Sequence, residues 1–92
     1  DVVQRQLDAY NTQDLDGFCA TYADDCVIAD LNGAIAQSGV NEIRARYAKT
    51  FSDYPHNRAW VLHRMTLGDV VIDHEQGERS PDGPFFEALV VY

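Results

Sequence analysis

"RAWVLHRMTLGDVVIDHEQ", residues 58–76, decides the fold. Two runs rich in strand-forming residues, 58–67 and 70–76, flank Gly68 and Asp69. A two-residue loop with glycine first is a hairpin signature. The loop sets the register: Leu67 opposite Val70, Met65 opposite Ile72, Arg64 opposite Asp73, His63 opposite His74 and Leu62 opposite Glu75. Side chains alternate along a strand, so one face carries Val61, His63, Met65, Leu67, Val70, Ile72 and His74, and the other Trp60, Leu62, Arg64, Val71, Asp73 and Glu75. The first face is mostly apolar and is expected to turn inward, with its two imidazoles opposed. Arg64 and Asp73 are then expected to face each other on the outside.

Outward from the hairpin, "ERSPDGP" (78–84) reads as a loop and Phe85 to Tyr92 as a further strand. Towards the N-terminus the rhythm is helical. Val3, Leu7 and Tyr10 at i, i+4 and i+7 predict a short amphipathic helix over 2–10, with Gln6 at the edge of its inner face. Asn11 to Gln13 break it, and Asp14 is a good N-cap for a second helix reaching about Asp24, with Leu15, Phe18, Cys19 and Tyr22 on one side. A strand over 26–31 contains Asp30 near its end, "NG" at 32–33 marks a turn, and a short strand follows at 34–37. Ser38 and Gly39 open a third helix whose stripe is Val40, Ile43, Tyr47, Phe51 and Tyr54, and Pro55 ends it. The layout is α+β.

Seven Lys and Arg against 15 Asp and Glu give a net charge of −8, and no basic cluster offers phosphates a docking surface. Nucleic acid and anionic membranes are therefore excluded as partners. No apolar run reaches the roughly 18–20 residues of a membrane span, and none resembles a signal peptide, so a cytoplasmic location is expected. Cys19 and Cys26 lack metal-ligand spacing and read as buried thiols. Neither a cofactor nor a metal is expected. The chain starts inside a helical pattern and stops inside the apolar "EALVVY" (87–92), so it is expected to be a single domain over 1–92 that lacks its last strand.

The stretches "VVQRQLDAYNTQDLDGFCATYADDCVIAD" (2–30) and "SGVNEIRARYAKTF" (38–51) resemble the opening half of ketosteroid isomerase and of the wider nuclear-transport-factor-2-like, or SnoaL-like, superfamily. The resemblance covers residues 2–54 in detail, and the strand pattern alone from 58 onward. It implies a cone-shaped, curved antiparallel or mixed β-sheet wrapped around an apolar pocket and closed by three N-terminal helices. It also implies a small hydrophobic ligand and a homodimer through the outer face of the sheet, the face carrying Trp60, Leu62 and Val71.

The same resemblance supplies the candidate site. Asp30 falls where ketosteroid isomerase has its general base, which moves a proton between carbons next to a carbonyl. The position of that enzyme's oxyanion-holding tyrosine is occupied by Gln6, a weaker donor. Its second acid falls at Glu87, Leu89 or Val90. His74 falls on a pocket-lining position, as a proton-transfer group or as a hydrogen-bonded wall, with His63 opposite it. Asp30 and His74 are thus the candidate catalytic residues, and Gln6, Tyr10, Tyr47, Phe51, His63 and Glu87 the candidate substrate-binding residues. Helical spacing equally places Tyr10, Tyr22, Tyr47 and Phe51 in a core. Asp30 before Asn-Gly equally reads as a turn residue. His56, in "YPHNR", reads as a solvated loop residue. The functional expectation is a proton-transfer isomerase or cyclase acting on a hydrophobic carbonyl compound, or else a non-catalytic binding or dimerisation module of the same fold.

Overall fold

The computed structural model describes residues 1–81 and 83–92. Its element order is α1 (Val2–Asn11), α2 (Leu15–Cys19), β1 (Val27–Ala29), β2 (Ile35–Ser38), α3 (Val40–Asp53), β3 (Arg58–Leu67), β4 (Val70–Glu78) and β5 (Phe85–Val91). The α+β class is as predicted. The strands form two antiparallel sheets, a β1–β2 hairpin and a three-stranded β3–β4–β5 sheet. Part of the loop expected at 78–84 falls on Asp82, outside the described residues. Among the described residues no helix is long and apolar enough to cross a membrane.

The first two helices begin where a side chain satisfies a free amide. Asp1 accepts from Gln4 N at 2.8 Å and Asp14 accepts from Gly17 N at 3.0 Å, whereas α3 starts at Gly39 without a side-chain cap and Glu42 accepts from Ser38 N, at the end of β2, at 3.1 Å. The second helix is shorter than its apolar spacing suggests. After Cys19 the amides of Thr21 and Tyr22 bond to Phe18 O and Cys19 O, three residues back, and the Thr21 hydroxyl also takes Phe18 O at 2.7 Å. The helix therefore tightens into a turn, and Tyr22 still packs against the core from it. That core joins Ala9, Phe18, Cys19, Ile43 and Phe51, with the Phe18 ring 4.5 Å from Tyr47, 5.3 Å from Tyr22 and 5.9 Å from Phe51.

The α1–α2 corner is tied to the sheet by polar side chains. Asn11 donates to Ala59 O at 2.8 Å and accepts from Ala59 N at 2.7 Å, closing a reciprocal pair with the buried start of β3. Gln13, at φ +60°, donates to Asn57 O. Asn57 is almost fully buried, its amide oxygen accepting from the Tyr10 hydroxyl and its nitrogen donating to Glu78 O at 3.2 Å.

The 58–76 hairpin has the predicted pairing at its turn end: Leu67 with Val70, Met65 with Ile72, Arg64 with Asp73 and His63 with His74. Gly68 supplies the positive φ, +57°, that the turn requires. Beyond His63 the register slips, so that Val61 rather than Leu62 lies opposite Glu75. Leu62 is the extra residue of a bulge, and Trp60 and Val61 exchange sides because of it.

The faces are the reverse of those expected. Asp73 is fully buried and Glu75 is 9% exposed, whereas Met65 and Leu67 are 65% and 85% exposed. The side carrying Arg64, Asp73 and Glu75 turns inward, where Arg64 reaches Gln4 on α1, and the apolar side with His63 and His74 turns outward. Hydrophobicity misassigns the sides because Arg64 neutralises Asp73 and Glu75 accepts a hydrogen bond from the Tyr92 hydroxyl. Burying charge is tolerable only on those terms.

Candidate ligand pocket

The inner face of α1 is Val3, Gln6 and Ala9, spaced three residues apart. Between this face, the segment linking α2 to β1, and the end of β5 lies a pocket of about 200 Å³. Val2, Val3 and Gln6 line it from α1, Thr21, Tyr22, Ala23 and Cys26 from the linking segment, and Tyr92 from the end of β5. Tyr92 is fixed by the sheet, its N–H donating to Val71 O at 2.7 Å. Its hydroxyl donates to Glu75 Oε2 at 3.0 Å. Gln6 is 8% exposed, and among the described residues no hydrogen bond ties down its amide.

Behind Tyr92 lies a charged network. Arg64 grips Asp73 with two bonds, Nε to Oδ1 at 2.6 Å and Nη2 to Oδ2 at 2.8 Å, and its Nη1 donates to Gln4 Oε1 at 3.1 Å. Glu75 stands two residues from Asp73 on the same strand face. Burial pushes the Glu75 carboxyl above its usual 4.5, and the Asp73 carboxylate adds to the rise, against the opposing hydrogen bond from Tyr92 and charge of Arg64. Burial likewise raises the Tyr92 phenol, and Glu75 beside it raises it further. Asp73 is thus gripped by its guanidinium partner, while Glu75, with no such grip, is pushed upward by burial. A hydroxyl on the pocket wall, backed by such an acid, can hold and polarise a ligand oxygen.

The predicted site residues separate into four places. Gln6 lines the pocket. Tyr10, Tyr47 and Phe51 pack in the aromatic core between the helices. His63, His74 and Glu87 meet on the outer sheet face, with the imidazoles stacked 5.7 Å apart and His74 Nε2 2.8 Å from Glu87 Oε2. Asp30 stands exposed at the β1–β2 turn, whose backbone is closed by Asp30 N to Ala34 O and Gly33 N to Asp30 O, with Asn32 Oδ1 accepting from Ala34 N. His56 is exposed, as expected, while Cys19 is buried and Cys26 half-buried, both as free thiols.

Sequence reasoning missed Tyr22 and Tyr92 as pocket-lining groups and Glu75 as the acid behind Tyr92. The legible signal was the spacing of Asp73 and Glu75, two acids on one strand face that need partners if that face is buried. Among the described residues no group of three His, Cys, Asp or Glu is placed to hold a metal ion. A larger groove of about 480 Å³ lies between α1 and α2, lined by Arg5, Asp8, Thr12 and Asp14 among others, but these four side chains are exposed.

The architecture is an α+β fold of the kind seen in proteins with ketosteroid-isomerase-like and nuclear-transport-factor-2-like folds. The family model of the SnoaL-like domain matches residues 3–92, and the chain belongs to that family. Among solved structures, an uncharacterized cystatin-fold protein from Novosphingobium aromaticivorans shares 27% identity at a TM-score of 0.88, over 99% of this chain and 83% of that one. A candidate polyketide cyclase from Sinorhizobium meliloti is 24% identical at 0.81, over 100% and 82%. A protein with a ketosteroid-isomerase-like fold from Catenulispora acidiphila, solved in complex with trimethylamine, is 17% identical at 0.71, over 99% and 72%.

Proposed function

We propose that this SnoaL-like domain binds a small, largely apolar carbonyl compound in the pocket between α1, the α2–β1 segment and the end of β5, and polarises its carbonyl through Tyr92 and Glu75. The observation that carries the reading is the Tyr92 hydroxyl, 3.0 Å from a nine-tenths-buried carboxyl that burial pushes above its ordinary value. When Glu75 is protonated its O–H donates to the Tyr92 oxygen, and the Tyr92 O–H is then free to donate into the pocket. A ligand carbonyl accepting that bond gains more from it as negative charge builds on the oxygen, which is the condition for catalysing enolate formation. Proton shifts and ring closures next to a carbonyl both pass through such an enolate. That a protein of this fold is a candidate polyketide cyclase supports the choice of reaction class.

The carbonyl stretching frequency of bound acetophenone tests this reading. It should lie lower in the native protein than in Tyr92→Phe, and equal frequencies would remove Tyr92 from the role. A general-base function for Asp30 is a separate proposal that rests on the resemblance. With an active substrate in hand, Asp30→Asn should lower the rate by about a hundredfold, and an unchanged rate ends it.

A second element of the proposal concerns assembly. The outer face of the β3–β4–β5 sheet exposes Met65, Leu67, Val70, Phe85, Leu89 and Val91, an apolar surface across all three strands. Patches of this kind mark contact sites. For a chain of net charge −8, self-association is least opposed where acids are few, and Glu87 on this face is bonded to His74. We therefore place a homodimer contact on this face, opposite to the one expected from the sequence.

A further inference from the structure

We infer that Gln6 is the specificity-determining residue of this pocket and that it selects carbonyl ligands with a hydrogen-bond donor beside the C=O, as in an amide or lactam. The inference rests on the pocket reading above and adds to it the class of ligand. A glutamine amide offers two N–H donors and one acceptor oxygen, and a buried amide is costly when these are left unmade. The neighbouring glutamines are held elsewhere. Gln4 donates to Asp8 at 2.9 Å and accepts from Arg64 at 3.1 Å, and Gln13 donates to Tyr10 O and Asn57 O with its Oε1 buried and unpaired, outside the pocket lining. The Thr21 hydroxyl on the pocket wall is likewise taken, by Phe18 O at 2.7 Å. Gln6 alone of these lines the pocket nine-tenths buried with its amide uncommitted among the described residues.

A simple ketone satisfies half of that amide. Its oxygen accepts from Gln6 Nε2, but it displaces water from Oε1 and returns nothing. A carboxamide or lactam pairs with both ends through two parallel bonds, C=O to Nε2–H and N–H to Oε1. The second lone pair of the same carbonyl remains for the Tyr92 hydroxyl. Size agrees, since a cavity of about 150 Å³ holds benzene, so about 200 Å³ suits a single ring with a small polar head. A site built to bond a donor discriminates strongly against an analogue that lacks it, because the protein group is left unpaired.

Benzamide and acetophenone differ by NH2 against CH3 on the same ring and carbonyl, and their affinities for the 92-residue chain can be read from amide chemical-shift titrations. Benzamide should bind the native protein about tenfold or more tightly than acetophenone, with shifts centred on Tyr22, Cys26 and Tyr92. In Gln6→Met, which keeps the side-chain length and removes the amide, that ratio should fall to within about threefold. Equal affinities in the native protein overturn the inference whatever the variant does, as does an unchanged ratio in a folded Gln6→Met, and both leave the pocket reading standing. Failure of both probes to shift any pocket residue overturns the pocket reading and the inference together.

Discussion

Replacing Arg64 with Met probes the charged network behind the pocket. Methionine keeps most of the aliphatic stem and removes the guanidinium. Asp73, fully buried, then loses both of its bonds, and Gln4 Oε1 loses its donor. Removing one partner of a buried pair costs about 3–5 kcal/mol, because the remaining charge is left uncompensated. The Arg64 side chain is 23% exposed, so water reaches the vacated position and the lower end applies, about 3 kcal/mol. A 92-residue domain has roughly 5–14 kcal/mol in total, so the loss is a substantial fraction. Urea unfolding followed by Trp60 fluorescence and circular dichroism should show a lower midpoint with an unchanged slope. The double variant Arg64→Met with Asp73→Leu should recover most of the loss and lie within about 1.5 kcal/mol of the native protein, because no buried charge is stranded. A single-variant loss below about 1 kcal/mol, or a double variant as weak as the single, would refute the reasoning.

Three further outcomes are expected. Glu75 holds its proton more tightly folded than unfolded, so its contribution is fully present below the unfolded value of 4.5 and is lost as pH rises through the higher folded value; Glu75→Gln should flatten this decline in a pH series of urea midpoints. Asn11→Ala strands the N–H and C=O of the buried Ala59 and should cost about 1–3 kcal/mol, read as a lower melting temperature with α1 amides exchanging faster. Leu67→Glu should leave the monomer's stability nearly unchanged, since the side chain is 85% exposed, yet shift sedimentation towards monomer; a native protein that is already monomeric at high micromolar concentration removes the outer-face contact.

What could be read from the sequence was mostly local. Caps at Asp14, the Asn-Gly and Gly-Asp turns, the stop at Pro55 and the helix stripe around Ile43 and Phe51 each depend on a few neighbouring residues, and they fall where periodicity places them. The pairing of Arg64 with Asp73 and of His63 with His74 follows from the turn alone. Which side of that hairpin is buried depends instead on what α1 brings to it. Gln4 completes the Arg64 fork, a contact between residues 60 positions apart that no strand pattern carries. The bulge at Leu62 is equally invisible to a two-residue alternation. The acid behind the pocket escaped for a related reason: Glu75 is recognisable only once Tyr92 from the far end of the chain lies over it.

The proposed function turns on the state of Glu75. Carbon-detected NMR titration of its carboxyl in the native protein and in Tyr92→Phe is the direct measurement. The midpoint should lie above 4.5 in the native protein and rise further in Tyr92→Phe, because the tyrosine's hydrogen bond opposes the effect of burial. A midpoint at or below 4.5 in the native protein would show a solvated carboxylate, and would contradict the proposal that this pocket presents an acid-backed hydroxyl to its ligand.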